Sequence, residues 1–263
     1  MYTFKIPNIN KGIVFTIKGP FAHFRKFYSQ TSTLSYPVPP RTALTGMVGA
    51  ILGIPRSEVY ELMQPPNGFF ALQVLTPLRK VTSTVNLLST KEEYFATLLK
   101  KSRLRFFDST KNRTQIPMEI LVPQPPDINL KFRIAFWHSD EDLLRKLVNY
   151  LRESKVFYPV YLGISEFLAS VEFEGLTESL IELKDYEGEI HSVIVGDNIK
   201  NGLVRPGNKF NIEYMLIYMN RDFSAKAHTN VIYSEQAKPI SLKVKYAIRW
   251  KDIVWTPYEL FDS

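Results

Sequence analysis

Two groups of cations and aromatic rings in the first half of the chain could bind a polyanion. In the first group, the segment Leu98–Gln115, six cations accompany a single acid, Asp108. Cations release counterions from a phosphate backbone, and aromatic rings stack on unpaired bases for about 1–3 kcal/mol each. A solvated basic loop is the alternative. The candidate nucleic-acid contacts in this segment are Lys100, Lys101, Arg103, Arg105, Phe106, Lys111 and Arg113.

The second group lies between the first predicted strand, Ile13–Lys18, and the predicted helix that follows Pro40. The first N–H groups of a helix are unpaired and attract phosphate, so a cation and hydroxyls beside them indicate an anion site. The alternatives are helix capping by Thr42 and packing of Tyr36 against a proline. The candidate nucleic-acid contacts here are Arg25, Lys26, Tyr28, Ser32, Thr33, Tyr36, Arg41, Thr42 and Thr45.

Signatures of cofactor and metal chemistry are missing from the sequence. There is no cysteine, the four histidines are scattered, and neither a Walker loop nor G-x-G-x-x-G occurs. We therefore expect no cofactor and no metal. Metal-independent RNA cleavage needs only a base, an acid and a cation, and His23 with Lys26 and Tyr28 or Tyr36 could supply them. That activity is the alternative to the non-catalytic binding protein that we expect.

The charge of the chain is unevenly distributed. The 263 residues have a net charge of +7, with +11 on residues 1–115 and −4 on the remainder. This asymmetry predicts one face for a nucleic acid and another for protein neighbours. The longest apolar run, Gly46–Ile54, is far shorter than the roughly 20 residues that span a bilayer, and the N-terminus lacks the apolar core of a secretory signal. We expect a soluble cytoplasmic protein that does not bind membranes.

The elements that would position these residues follow the order strand, helix, strand, strand, helix, strand. The first helix has its apolar residues at helical spacing and ends at Gly53, and we expect Gly46 and Gly49 to allow its close approach to a sheet. The second helix opens at Ser139 with an S-x-x-D capping pattern. The expected fold is α+β, a ferredoxin-like (RRM-like) βαββαβ domain.

We place the ferredoxin-like domain at residues 1–185 and a smaller β-rich C-terminal region at residues 186–263. Strands of the latter are expected at Ile190–Val195, Phe210–Tyr218, Thr229–Tyr233 and Ile240–Trp250. An insertion at about residues 82–116 is expected between the two central predicted strands. An insertion of this length is usually functional or disordered.

Three ordered motifs resemble those of the Cas-five family, the RAMP-superfamily subunits of type I CRISPR effector complexes. They are G-P-F-A-H-F-R at 19–25, Y-P-V-P-P-R-T at 36–42 and G-M-V-G-A-I-L-G-I at 46–54. The resemblance implies a RAMP domain with a β-hairpin thumb at 82–116. It also implies a subunit that grips the 5′ handle of the CRISPR RNA and caps the Cascade complex in antiviral defence.

The same resemblance implies partners. These are the CRISPR RNA, a Cas-seven type backbone subunit and a large subunit that reads the protospacer-adjacent motif, while contact with target DNA is left open. One branch of the family cuts precursor RNA with a tyrosine and an adjacent lysine–histidine pair. No Lys-His pair occurs in this sequence, so that activity is not carried over.

Overall fold

Four antiparallel strands form the central sheet of this computed structural model, which describes residues 9–28, 33–88, 113–200 and 210–259. The strands are β1 (Ile13–Gly19), β4 (Gly68–Val74), β7 (Leu130–His138) and β8 (Ser170–Leu176). Their order is β4-β7-β1-β8. They are rich in β-branched and aromatic residues, which suit a pleated, buried surface.

Three helices pack on one face of this sheet. Helix α1 (Arg41–Leu52) begins directly after Pro40 and ends at Gly53, whose φ of 74° is the left-handed conformation that glycine adopts readily. A shorter helix, α2 (Arg56–Leu62), follows it. Helix α3 (Glu141–Arg152) is capped by the Asp140 side chain, which accepts hydrogen bonds from the N–H groups of Asp142 and Leu143. The predicted cap at Ser139 is therefore wrong by one residue.

The opposite face of the sheet is covered by a second sheet. It contains β9 (Ile181–Ile190), β13 (Ile240–Trp250) and β14 (Ile253–Trp255), in the order β14-β13-β9. Trp137 and Phe69 of the central sheet pack with Trp250 and Trp255 of this layer. Since both faces of the central sheet are covered, bases cannot stack on it as they do on an open sheet.

A third sheet packs beside α1. It contains β10 (Ile194–Val195), β11 (Asn211–Met219) and β12 (Ala225–Tyr233), in the order β10-β12-β11. Met215 and Val231 of this sheet belong to the same hydrophobic cluster as Leu44 and Val48 of α1. The predicted boundary at residue 185 falls inside β9, and the proposed division into two domains stays a prediction.

A two-stranded ribbon projects between β4 and β7. It pairs β5 (Leu78–Leu88) with β6 (Arg113–Pro123), from Leu78 opposite Pro123 to Leu88 opposite Arg113. Most of the predicted insertion falls beyond these strands, in residues 89–112, outside the described residues. Within the described ranges, no helix is long and apolar enough to cross a membrane.

Candidate nucleic-acid interface

The loop between β1 and α1 is hydrogen-bonded to the base of the ribbon. The Ala22 N–H donates to the Leu121 carbonyl (3.1 Å), and the Leu121 N–H donates back (2.8 Å). Further along, the Thr33 N–H donates to the Pro117 carbonyl at 3.0 Å, and the Glu119 N–H donates to the Thr33 carbonyl at 2.9 Å. The loop therefore lies beside strand β6 of the ribbon, while the predicted contacts of the basic segment from Lys100 to Lys111 fall outside the described residues. We call this contact the loop–ribbon junction.

Glu119 of β6 ties the junction together. One of its carboxylate oxygens accepts hydrogen bonds from the Ser35 N–H (2.8 Å) and the Lys80 ammonium (3.2 Å). Ser35 lies in the short strand β3 (Ser35–Tyr36), which pairs with β2 (Phe24–Arg25). The Glu119 carbonyl contacts Nδ1 of His23 at 2.7 Å. The loop is thus held by main-chain and side-chain bonds on the same strand.

Arg25 and Tyr28 are the predicted RNA contacts of the loop that face solvent. Arg25 is exposed at the end of β2, and the Tyr28 side chain is 49% exposed. Thr33 is partly exposed beside β6, while Ser32 lies outside the described residues. Arg79 of β5 is a further exposed cation at the ribbon base that the sequence analysis missed. Its position on a strand next to a basic insertion could have predicted Arg79 as a candidate contact.

Lys26 does not present a free ammonium. Its Nζ bonds both carboxylate oxygens of Glu213 in β11, each at 2.7 Å, and it lies over the rings of Tyr28 and Tyr36. Burial lowers the pKa of Lys26, but the hydrogen bonds to Glu213 and Tyr28 raise it, and the net direction is upward. In this structure the charge of Lys26 neutralises a partly buried acid, and its contact with a phosphate stays a prediction.

Arg41 is also a structural residue. It is 1% exposed, and its Nε donates to Glu259 at 2.7 Å. Its Nη2 donates to the carbonyls of Met63 (2.6 Å) and Gly68 (3.0 Å), and Nη1 lies 3.4 Å from the Thr45 hydroxyl. Thr45 is fully buried as well. The predicted RNA contacts at Arg41 and Thr45 are wrong, since no phosphate can reach either side chain.

Tyr36 is buried too, so its ring cannot stack on a base. Burial raises the pKa of its hydroxyl to about 12. The prediction of a contact at Tyr36 is corrected to packing, the alternative interpretation of this residue.

Thr42 differs, because it is nearly buried but contributes to the lining of an open groove. Arg113 begins β6 opposite Leu88. Predicted contacts outside the described residues are Lys100, Lys101, Arg103, Arg105, Phe106 and Lys111.

The groove at Thr42 runs along the outer side of α1 and has a volume of about 690 Å³. Its walls include Arg56 and Tyr158, and its floor includes Gly46. Its lining also includes Gly163, whose φ of 97° suits glycine and whose Cβ position would fall 1.8 Å from the His23 carbonyl oxygen. The lining of the groove therefore approaches the loop of the junction at Gly163.

His23, the residue considered for RNA cleavage, is enclosed by the junction. It is 1% exposed, and Nδ1 is engaged by the Glu119 carbonyl. Burial lowers the pKa of His23, although the contact with that carbonyl acts in the opposite direction. A base that is shielded from solvent is poorly placed to reach a 2′-hydroxyl. Among the residues that the structure describes, no group of three potential metal ligands occurs.

Comparison with known families identifies the chain. The family described as CRISPR-associated protein (Cas_Cas5) matches residues 12–250, which is nearly the whole sequence. The chain belongs to this family. No curated protein matches it.

Two solved structures have a similar fold. One is a chain of a "CRISPR RNA-guided surveillance complex", with a TM-score of 0.51, 12% identity, and coverage of 88% of this chain and 91% of that chain. The other is a CRISPR protein from Archaeoglobus fulgidus, with a TM-score of 0.51, 14% identity, and coverage of 93% and 98%. At these identities the similarity concerns the fold, and it agrees with membership of the Cas_Cas5 family.

Proposed function

We propose that this member of the Cas_Cas5 family is a non-catalytic RNA-binding subunit of a type I CRISPR Cascade complex. It grips the 5′ handle of the CRISPR RNA and caps the complex in antiviral defence. The observation that carries this proposal is the loop–ribbon junction, in which Glu119 and Leu121 of β6 hold the loop that carries Arg25. The surveillance-complex chain of similar fold supports it.

The architecture fits the same proposal. We classify the central sheet with α1 and α3 as a ferredoxin-like RAMP domain, since its elements follow the order βαββαβ. The ribbon of β5 and β6, with the basic insertion at 82–116, is the thumb. A Cas-seven type backbone subunit and a large subunit that reads the protospacer-adjacent motif are the proposed protein partners, in the cytoplasm.

Electrostatics give the binding mode. Arg25 is exposed at the junction, Arg79 is exposed on the neighbouring strand β5 at the ribbon base, and the first 115 residues have a net charge of +11. Lys26 is paired with Glu213, so this acid does not repel a phosphate backbone. A cationic surface of this kind binds single strands through their phosphates, with an affinity that falls as salt rises.

The test is a salt titration with labelled single-stranded handle RNA. Replacing Arg25 and Arg79 with Glu should weaken binding at least tenfold at 100 mM salt, an order-of-magnitude expectation for lost phosphate contacts. It should also flatten the slope of log K against log salt by about 1.4, because each lost contact removes about 0.7. A second variant with Glu at Lys100, Lys101, Arg103 and Arg105 should act in the same direction.

The matched control replaces Arg145 and Lys251 with Glu. Both are exposed, on α3 and on the turn between β13 and β14, and the change in net charge is the same. Equal losses in the control and the Arg25/Arg79 variant would contradict the proposal and indicate non-specific attraction. Cleavage of repeat RNA in EDTA that disappears in His23→Ala would contradict the non-catalytic role and favour the endoribonuclease alternative.

A further inference from the structure

A cluster of aromatic rings lies next to the junction. Phe27 and Tyr28 of the loop are 50% and 49% exposed, and Tyr214 of β11 is 50% exposed. His228 of β12 lies among them and is partly exposed. Phe27, Tyr214 and His228 belong to none of the predicted contacts, so this cluster adds a feature to the site.

The rings are held in defined contact with one another. The His228 ring stacks on Tyr214, with centroids 5.4 Å apart and an angle of 17° between the planes. Phe27 approaches His228 to 4.3 Å, and Tyr28 meets Phe27 edge-on at 5.1 Å. Each ring therefore uses part of its surface on a neighbour and leaves the rest in solvent.

The chain positions these rings by passing around β11, the last strand in its sheet. Alternate residues of a strand point to opposite faces. On one face, Glu213 bonds Lys26 and accepts a hydrogen bond from the Tyr28 hydroxyl at 3.0 Å. On the other face, Tyr214 reaches His228. Residues 26–28 thus contact both faces, and the partly buried ion pair between Lys26 and Glu213 fixes the loop that carries Phe27.

The chemistry of the surface favours a nucleobase over other apolar ligands. Half-exposed rings present the flat faces on which any base can stack. The nearest acid, Glu213, is neutralised by Lys26, and the exposed guanidinium of Arg25 lies two residues from Phe27, where it would attract the phosphate of a stacked nucleotide. Aromatic rings combined with an adjacent cation are what single-stranded nucleic acid requires.

We infer that Phe27, Tyr28 and Tyr214 form a stacking platform for unpaired bases of the RNA strand bound at the loop–ribbon junction. This inference rests on the proposed function and adds base contacts to its phosphate contacts. The platform reads no sequence by itself, because stacking tolerates every base. It orients the strand and lengthens its residence at the junction.

The test compares handle RNA with the same RNA carrying abasic residues, using the variants Tyr214→Leu and Phe27→Leu/Tyr214→Leu. Leucine keeps apolar bulk and removes the π face. Wild-type protein should bind the abasic RNA about 5- to 150-fold more weakly, the range for one stacked base. The double variant should bind intact RNA with that same loss and show no further loss on the abasic strand. Its salt slope should equal that of the wild type, because no phosphate contact changes.

The control is Phe223→Leu, which removes an exposed ring in the turn between β11 and β12 of the same sheet. The platform would be overturned if Phe27→Leu/Tyr214→Leu bound intact RNA as tightly as the wild type and stayed equally sensitive to abasic residues. The proposed salt-dependent binding of RNA would still stand. The platform would also be overturned if the double variant kept its RNA binding but no longer co-purified with a partner subunit of the complex. The rings would then form a protein contact. Absence of RNA binding by the wild type would refute the proposed function itself.

Discussion

At the scale of single residues, Arg41 has a different role from the one its position at a helix start predicts. Its guanidinium joins α1 to Glu259 near the end of the chain, and it lies over the rings of Phe70 and Tyr218 at 5.2 and 4.9 Å. Burial raises the pKa of Glu259, while Arg41 and the Phe70 N–H act in the opposite direction. This ion pair fastens the C-terminal segment to the central sheet.

Breaking this pair from one side should be costly. Arg41→Met leaves a buried acid without its cation, and we expect the free energy of unfolding to fall by about 3–5 kcal/mol in urea titrations. Arg41→Met/Glu259→Met should recover most of that loss, since a buried pair can often be replaced by apolar groups. The double variant should bind handle RNA like the wild type. If Arg41→Met were as stable as the wild type, the structural role of the ion pair would be contradicted.

The same residue shows what the sequence could not predict. A cation beside a helix N-terminus suits a phosphate and a carboxylate equally well. The carboxylate that pairs with Arg41, on Glu259, lies 218 residues away in the chain, and the carboxylate that pairs with Lys26, on Glu213, lies 187 residues away. Only the tertiary fold reveals such pairings. Arg25 and Tyr28 could be assigned to the surface from the sequence because nothing in the fold encloses them.

At the scale of elements, α1 shows how glycines shape a helix contact. We expected Gly46 and Gly49 to allow close approach to a sheet. A Cβ on Gly49 would lie 2.6 Å from a methyl of Val59 in α2, whereas a Cβ on Gly46 would meet nothing within 4 Å. The close approach is therefore to the neighbouring helix, at one glycine only, and the expectation is corrected.

The two glycines should respond in opposite ways to alanine. Gly46→Ala should stabilise the protein by about 0.5–1 kcal/mol, because alanine has the higher helix propensity and meets open space. Gly49→Ala should destabilise it by about 1–3 kcal/mol, because the added methyl overpacks against Val59. Urea midpoints of the two variants measured side by side make the comparison. If Gly46→Ala lowered the stability and Gly49→Ala raised it, α1 and α2 would have to pack differently.

Local signals predicted α1 closely, since Pro40 and Gly53 bound it and its apolar spacing is helical. The strand Ile181–Ile190 was missed because most of its side chains are polar or only partly buried. Its pairing with β13, from Ile190 opposite Ile240 to Ile181 opposite Arg249, holds it in the sheet. Elements defined by their own sequence could be predicted, and those defined by a distant partner could not.

At the scale of the whole molecule, tertiary packing buries two histidines, His138 at the end of a central strand and His23 in the loop before α1. His138 accepts a hydrogen bond from the Asp140 N–H at Nδ1 and contacts the Leu62 carbonyl through Nε2 at 3.0 Å, an arrangement that requires the neutral ring. His23 is enclosed at the loop–ribbon junction. Burial lowers the pKa of both histidines, although their carbonyl contacts partly oppose it.

These histidines make the stability of the whole protein depend on pH. In the unfolded chain each has a pKa of about 6.5 and takes up a proton below it, whereas the folded protein keeps both neutral to lower pH. The unfolded state then binds more protons, so stability rises with pH, by at most about 1.4 kcal/mol per pH unit for each histidine. The urea midpoint should therefore be constant above pH 7 and fall between pH 6.5 and the lowered pKa values. His23→Gln/His138→Gln should fall less steeply from pH 6.5 to 5, and equal slopes in variant and wild type would contradict the buried neutral histidines.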